Sequence, residues 1–239
     1  MGNISADTLF APLAVATAPE ASRPILEKVQ KSLGFVPNLM AIFANNATVL
    51  EGYLAFGAVF EKGSFTARER QIILLAASVE NSCNYCAAIH SQIAKGLLRT
   101  PAEVIAAVQN NTPVSDAKLN ALVNLVKELV RERGYAKEKT IQKFLAAGYT
   151  KEQVMELLLG IALKTISNYF LLTLLQQGRP FESGVSGRRW AGRFSKVHVQ
   201  RRGLICATCG SVSLAFWLDA EHWRGLPALN SRTGASRRS

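Results

Sequence analysis

Cysteine is scarce in this chain of 239 residues. The four cysteines form two Cys-x-x-Cys pairs, Cys83 with Cys86 and Cys206 with Cys209. This sparse pattern excludes a small scaffold held together by disulfides, because a chain of this length can bury a sizeable core without them. We therefore expect a cytoplasmic, reducing location in which the thiols are either catalytic or bind a metal.

The sequence also lacks a signal-peptide pattern and an uninterrupted apolar run. No Lys or Arg precedes the apolar stretch in MGNISADTLFAPLAVATAPEA, which argues against a secretory signal. Residues 154–175 are interrupted by Glu156, Lys164 and Asn168, and residues 204–218 are too few to cross a bilayer. We therefore expect no transmembrane helix and no membrane partner.

Acidic residues are scarce only in the last quarter of the chain. Residues 1–178 hold 17 Lys and Arg against 14 Asp and Glu, whereas residues 179–239 hold 11 against 3. The net charge of +11 therefore belongs mainly to the C-terminal tail. A basic balance concentrated in this way does not indicate a nucleic-acid partner for the rest of the protein.

The composition changes abruptly near Gly178 and divides the chain. We predict an N-terminal extension over residues 1–20, a helical domain over 21–178, and a tail rich in Arg, Gly and Ser over 179–239. The tail contains all three tryptophans and shows no sustained periodicity. It could be a disordered Arg-rich extension, a small zinc module using Cys206 and Cys209, or a product of an altered reading frame, which the abruptness favours.

No segment alternates apolar and polar residues between hairpin turns, whereas helix signals recur through residues 21–178. Apolar residues follow helical spacing, and Gly96, Gly134 and Gly148 fall where helices should end. Expected N-terminal caps precede four helices: Thr66 with Glu69, Thr100 with Pro101 and Glu103, Ser115, and Thr150 with Gln153. These signals predict an all-α antiparallel bundle. The last helix is apolar on nearly all sides and therefore needs partners within the chain or from other subunits.

The segment ENSCNYCAAIHSQIAKG, residues 80–96, holds the first dithiol. We predict that a helix begins at about Cys83, which places both thiols in its first turn. Unpaired N–H groups and the positive end of the helix dipole favour a thiolate there. Cys86 follows Cys83 by three residues and His90 follows Cys86 by four, so all three side chains should share one face.

This arrangement favours a redox dithiol, with metal binding and inert packing as the alternatives. His90 can transfer a proton to or from a thiolate, and a carboxylate could orient it. Glu80 and Gln71 lie on opposite faces of the preceding helix, so only one of them should face the dithiol. No nearby Cys or His completes a zinc site, and we expect neither a metal nor a cofactor.

The Cys83-x-x-Cys86-x-x-x-His90 core lies within ARERQIILLAASVENSCNYCAAIHSQIAKG. It is preceded by GFVPNLMAIFANNATVLEGYLAF and followed by LLLGIALKTISNYF. Together these segments resemble the carboxymuconolactone decarboxylase family, in its alkylhydroperoxidase D (AhpD)-like branch. The resemblance covers about residues 20–170. It implies an AhpD-like all-α fold that assembles into homotrimers or hexamers. It further implies that Cys86 attacks a hydroperoxide, that Cys83 resolves the product, and that an external dithiol reduces the resulting disulfide.

The same resemblance implies that His90 and an acidic residue relay protons, but the sequence departs from the family pattern at two positions. Gln71, twelve residues before Cys83, stands where the pattern has glutamate, and an amide cannot transfer a proton. Tyr85 stands where the pattern has histidine. We expect Glu80 to replace the missing carboxylate. The predicted activity is that of an AhpD-like peroxidase or thiol-disulfide oxidoreductase, with lactone decarboxylation or non-enzymatic redox sensing as alternatives.

Overall fold

The structure, a computed structural model, describes residues 10–175. The predicted tail and its cysteines Cys206 and Cys209 lie outside these residues, and the predicted domain boundaries stay predictions. Within 10–175 the chain forms a short 3-10 turn, Val15–Thr17, and nine α-helices without strands. The helices are α1 Arg23–Leu33, α2 Asn38–Phe43, α3 Ala47–Glu61, α4 Ala67–Glu80, α5 Asn84–Gly96, α6 Ala102–Gln109, α7 Ala117–Arg131, α8 Glu138–Ala146 and α9 Lys151–Leu175. The prediction of an all-α fold is confirmed.

Helix α4 is the centre of the bundle. Every residue from Glu69 to Ser78 is buried, because α4 packs against α5, α6, α7 and α9. A helix enclosed on all sides has no polar face, so the sequence of α4 does not reveal which side faces which neighbour. The packing of α5 and α9 against α4 brings residues from three distant parts of the chain together.

The N-terminal caps confirm part of the sequence prediction. Thr66 and Glu69 form a reciprocal capping box at the start of α4, and Thr150 and Gln153 exchange the same pair of hydrogen bonds at the start of α9. Two predicted caps are wrong. Asp116, rather than Ser115, caps α7 by accepting a hydrogen bond from the backbone N–H of Leu119 at 2.9 Å. Helix α6 begins one residue later than predicted, because Pro101 occupies the cap position and Thr100 makes no capping bond.

Helix α9 has one buried and one exposed apolar side. Leu157, Leu163 and Leu171 point into the core, at most 3 % exposed. An exposed stripe on the opposite side consists of Met155, Leu158, Ile166 and Tyr169. By length and composition alone α9 is apolar enough to cross a membrane, a test that a buried core helix also passes. In the structure, however, it packs against α3 and α4.

Gly160 allows α9 to approach the core closely. A Cβ atom at this position would lie 2.8 Å from Cζ of Phe60 on α3 and 2.9 Å from Cγ2 of Ile73 on α4. Both distances are too short for carbon atoms that are not bonded. The glycine is therefore required by packing, and it sets the distance of α9 from α3 and α4.

Candidate dithiol site

The turn between α4 and α5 fixes the position of both cysteines. Ser82 adopts a left-handed conformation with φ 57°, and the backbone N–H of Cys83 then donates to the carbonyl of Ser78 at 2.9 Å. Cys83 becomes the N-cap residue of α5, and Cys86 is the third residue of the helix. The predicted helix start is therefore accurate to one residue.

Both cysteines are buried and reduced. Cys83 is 0 % and Cys86 3 % exposed, and neither forms a disulfide. Their side chains form a hydrogen bond with each other, so the predicted pairing of the two thiols on one side of α5 agrees with the structure. The pair lies inside the core, where each sulfur can be influenced by neighbouring charges with little screening from water.

The sequence prediction for Glu80 is corrected by the structure. Its carboxylate accepts hydrogen bonds from Nε and Nη2 of Arg131 on α7, at 2.8 and 3.2 Å, and forms an ion pair there. Gln71 instead meets the histidine: its Oε1 lies 2.9 Å from Nδ1 of His90. The expectation that only one of these two residues faces the site agrees with the structure, but that residue is Gln71.

The contact with Gln71 fixes the protonation of His90. An amide oxygen only accepts hydrogen bonds, so Nδ1 of His90 carries the proton and donates it to Gln71, which leaves Nε2 as an acceptor. Burial, and secondarily the positive charge of Lys164, holds the pKa of His90 well below its usual value. The imidazole is therefore neutral at physiological pH and can take up a proton only at Nε2.

Lys164 on α9 is a component of the site that sequence reasoning did not find. It is 2 % exposed, and its ammonium group forms a hydrogen bond with Cys86. Ser167 and Asn168, both fully buried, lie one helical turn further along and also form hydrogen bonds with Cys86. A signal existed in the sequence, since these three polar residues interrupt an otherwise apolar helix.

Asn168 is held in place by residues next to the dithiol. Its Oδ1 accepts a hydrogen bond from Nδ2 of Asn81 at 3.1 Å, and its Nδ2 donates to Oγ of Ser78 at 3.4 Å. Ser78 also accepts the backbone hydrogen bond from Cys83 described above. These contacts connect the end of α4, the start of α5 and the middle of α9 through one hydrogen-bond network.

The environment makes the two thiols unequal. The hydrogen bond from Cys83 is the largest cause that lowers the pKa of Cys86, and burial acts in the opposite direction. The charge of Lys164 and the hydrogen bonds from Asn168 and Ser167 lower the pKa further, to about 6. The hydrogen bond between the two cysteines, together with burial, raises the pKa of Cys83. At neutral pH Cys86 is therefore a thiolate and Cys83 a thiol. This asymmetry suits Cys86 to attack and Cys83 to act second.

The remaining sequence candidates add little to this site. Burial, and then the negative charge of Cys86, raises the pKa of Tyr85, so its hydroxyl stays protonated. Among residues 10–175 no group of three or more His, Cys, Asp or Glu side chains is arranged to hold a metal ion. The two other histidines, His198 and His222, lie in the tail beyond the described part of the chain.

The fold and the site define a class, the all-helical proteins that carry a Cys-x-x-Cys dithiol at the start of a core helix. Residues 50–128, which include both cysteines and His90, match the model of the carboxymuconolactone decarboxylase family. The resemblance noted in the sequence is confirmed for this segment. Members of this family are generally enzymes.

Solved structures share the fold. A peroxidase-related protein from Ralstonia eutropha JMP134, described as an alkylhydroperoxidase AhpD core, is 22% identical with a TM-score of 0.61; the match covers 69% of this chain and 88% of that one. A peroxidase-related protein from Silicibacter sp. TM1040 is 18% identical, with a TM-score of 0.59 and coverage of 70% and 89%. The fold is therefore AhpD-like, as predicted.

The fold also occurs in a protein of different activity. The debrominase Bmp8 is 19% identical with a TM-score of 0.57, over 70% of this chain and 90% of its own. No curated protein matches the chain. At these identities the likeness establishes the fold but does not transfer an activity.

Proposed function

We propose that the protein is an AhpD-like peroxidase, a thiol-disulfide oxidoreductase that reduces hydroperoxides with the dithiol of Cys83 and Cys86. The observation that carries this proposal is the inequality of the two thiols. Cys86 has a lowered pKa and bonds to Lys164, whereas Cys83 keeps its proton. A nucleophilic thiolate beside a protonated resolving thiol is the arrangement that two-step peroxide reduction requires.

The chemistry divides into three steps. The Cys86 thiolate attacks the terminal oxygen of the hydroperoxide, the O–O bond breaks, and the departing alkoxide takes up a proton to become the alcohol. Cys86 is then a sulfenic acid, which condenses with the Cys83 thiol to form a disulfide and water. His90 accepts a proton from Cys83 at Nε2 and returns it to the departing hydroxide. An external dithiol then reduces the disulfide and is itself oxidised.

Thiol titration with residue-level detection tests the scheme. Reduced protein is mixed with one equivalent of tert-butyl hydroperoxide, and the remaining thiols are alkylated and located by peptide mass, which separates Cys83 and Cys86 from the two tail cysteines. We expect both site thiols to disappear together in the wild type. In Cys83→Ser only Cys86 should be oxidised, and in Cys86→Ser neither residue should react. Equal losses in the two variants would contradict the assignment of roles.

The same experiment separates the alternative functions. Adding dithiothreitol should regenerate the dithiol and sustain consumption of hydroperoxide over many cycles. A redox sensor would be oxidised once without sustained turnover. A lactone decarboxylase would keep its decarboxylation activity when both Cys83 and Cys86 are replaced by serine. Either result would reject the peroxidase proposal.

We also propose that the protein assembles with copies of itself as a homotrimer or hexamer. The support is the exposed stripe of α9, where Met155 is 71% and Tyr169 58% exposed. Such a row of apolar side chains on one face of a helix is typical of a surface that is covered in the assembled state. A second copy of the chain is the occupant that we propose for it.

A further inference from the structure

Lys164 is a buried cation that has no carboxylate partner in the part of the chain that the structure describes. It is 2 % exposed, and none of the ion pairs within residues 10–175 involves it. An ammonium group removed from water is costly unless an anion or several hydrogen bonds compensate it. Its position in the core therefore requires a negatively charged neighbour, which no Asp or Glu within residues 10–175 supplies.

The groups that face Lys164 identify this neighbour. They are the two cysteines and His90 from α5, and Tyr53 from α3. His90 is neutral, so the counterion is the Cys86 thiolate. Burial alone would lower the pKa of Lys164, but the charge of Cys86 and the hydrogen bond between the two groups raise it. Lys164 therefore holds its proton while the thiolate is present.

Cleavage of the peroxide removes the negative charge of the Cys86 thiolate and produces an alkoxide that needs a proton. The alkoxide that leaves is strongly basic, and a positioned acid can accelerate such a step by about two to four orders of magnitude. Gln71 has no transferable proton, and neutral His90 uses its only N–H in the hydrogen bond to Gln71. Lys164 touches the attacking sulfur, and it loses its counterion at the moment when the alkoxide forms.

We propose that Lys164 donates the proton that the departing alkoxide takes up, and so provides the acid that Gln71 cannot. This inference rests on the peroxidase function proposed above. In the first step the Cys86 thiolate, ROOH and the Lys164 ammonium give the Cys86 sulfenic acid, ROH and the neutral Lys164 amine. In the second step the Cys83 thiol and the sulfenic acid give the disulfide and water. Lys164 regains a proton when the external dithiol restores the thiolate.

Comparison of two oxidants isolates this role. tert-Butyl hydroperoxide releases a basic alkoxide, whereas peracetic acid releases acetate, which needs no proton. The ratio of the two rate constants at pH 7 is independent of how much Cys86 is ionised, because both oxidants react with the same thiolate. In Lys164→Met we expect this ratio, hydroperoxide over peracid, to fall by about 100-fold, the lower range for loss of a general acid.

Lys127→Met is the matched control. Lys127 is also a buried lysine, 7 % exposed, but its ammonium group donates to the carbonyl of Val108 at 2.9 Å and to Oδ1 of Asn111 at 2.7 Å. The ratio should stay at the wild-type value in this variant. Cys83→Ser serves as a second comparison, since its Cys86 is still oxidised: if Cys83 were the proton donor, the ratio would fall there and not in Lys164→Met.

The outcomes are distinct. An unchanged ratio in Lys164→Met, or a fall only in Cys83→Ser, overturns the role of Lys164 while leaving the peroxidase function intact. A wild type that reacts with neither oxidant overturns both. The wild type also provides a test without any mutation: alkyl hydroperoxides whose alcohols differ in acidity should react at similar rates, because the proton is delivered as the bond breaks. A steep decline with weaker alcohol acidity would overturn the inference.

Discussion

Oε1 of Gln71 accepts a hydrogen bond from Nδ1 of His90 at 2.9 Å, and this single contact separates the present site from one built on a glutamate–histidine pair. An amide orients the imidazole as a carboxylate would, but it cannot carry a negative charge or pass on a proton. The histidine is held in one tautomer and stays neutral. The positive charge at the dithiol is supplied by Lys164 instead.

Gln71→Glu should therefore raise the pKa of His90. A carboxylate at hydrogen-bond distance favours the charged imidazolium, by about one to three pH units when the charges lie within a few ångströms. Titration of the imidazole resonances by NMR measures the change. Gln153→Glu, at the cap of α9, makes the same substitution away from the site and should leave the His90 titration unchanged. An unaltered titration in Gln71→Glu would contradict the contact.

Absorbance of the thiolate should reveal one group that ionises near pH 6. The pKa of Cys86 is lowered to about 6, so the thiolate is present above this pH and is lost as the pH falls through it. Absorbance at 240 nm measures the thiolate without requiring a reagent to reach the buried sulfur. The step should vanish in Cys86→Ser. It should move to higher pH in Cys83→Ala, because the strongest stabilising hydrogen bond is then missing.

Glu80→Gln should leave peroxide reduction nearly unchanged. The carboxylate is paired with the half-exposed Arg131, and a pair of this kind contributes about 0–1 kcal/mol to stability. We expect rate constants within about twofold of the wild type, a small change in transition-state free energy, because the carboxylate bonds to Arg131 and not to a reacting group. Stopped-flow oxidation of the reduced protein provides the measurement. A loss of tenfold or more would restore Glu80 to the proton relay that the sequence suggested.

Gly160→Ala should destabilise the fold, although alanine is normally the better helix former. The new methyl group would meet Phe60 and Ile73 at 2.8 and 2.9 Å, and overpacking of this kind costs about 1–3 kcal/mol. Gly52→Ala in α3 is the matched control, because nothing within residues 10–175 lies within 4 Å of its Cβ position; it should stabilise the protein by up to about 1 kcal/mol. Thermal unfolding of both variants should give shifts of opposite sign.

Met155→Glu should weaken self-association of the protein. The side chain is 71% exposed in the single chain, so the substitution costs little there, but a carboxylate in an apolar interface would be buried without a partner. Light scattering coupled to size exclusion measures the mass. Tyr135→Glu changes an apolar residue that is 84% exposed and lies outside the stripe, and should preserve the assembly. A wild type that is monomeric at all concentrations would reject the oligomer proposal.

The parts of the structure that could be predicted from the sequence depend on local signals. The caps at Thr66 and Thr150 were found because a capping box lies within four residues. The two thiols were placed together because helical spacing alone brings residues three apart to one face. The cap of α7 was assigned to Ser115 instead of Asp116 since adjacent residues of similar capping ability cannot be distinguished without the backbone geometry.

The contacts of Gln71, Glu80 and Lys164 could not be predicted in the same way. Helix α4 is buried on all sides, so its apolar pattern does not reveal its rotation and thus which of Gln71 and Glu80 faces α5. Lys164 follows Cys86 by 78 residues, and its proximity depends on how α9 packs against α4. The sequence did mark Lys164 as an exception within an apolar helix, which is the signal that a buried functional charge leaves.

Both sulfurs are almost completely enclosed, Cys83 at 0 % and Cys86 at 3 % exposure, and this enclosure has a kinetic consequence. An oxidant can meet Cys86 only after the surrounding helices separate by a local fluctuation. At high oxidant concentration the rate should then level off at the frequency of this opening. Small oxidants need a narrower passage than bulky ones, so these local fluctuations of the bundle would admit small oxidants more often than bulky ones.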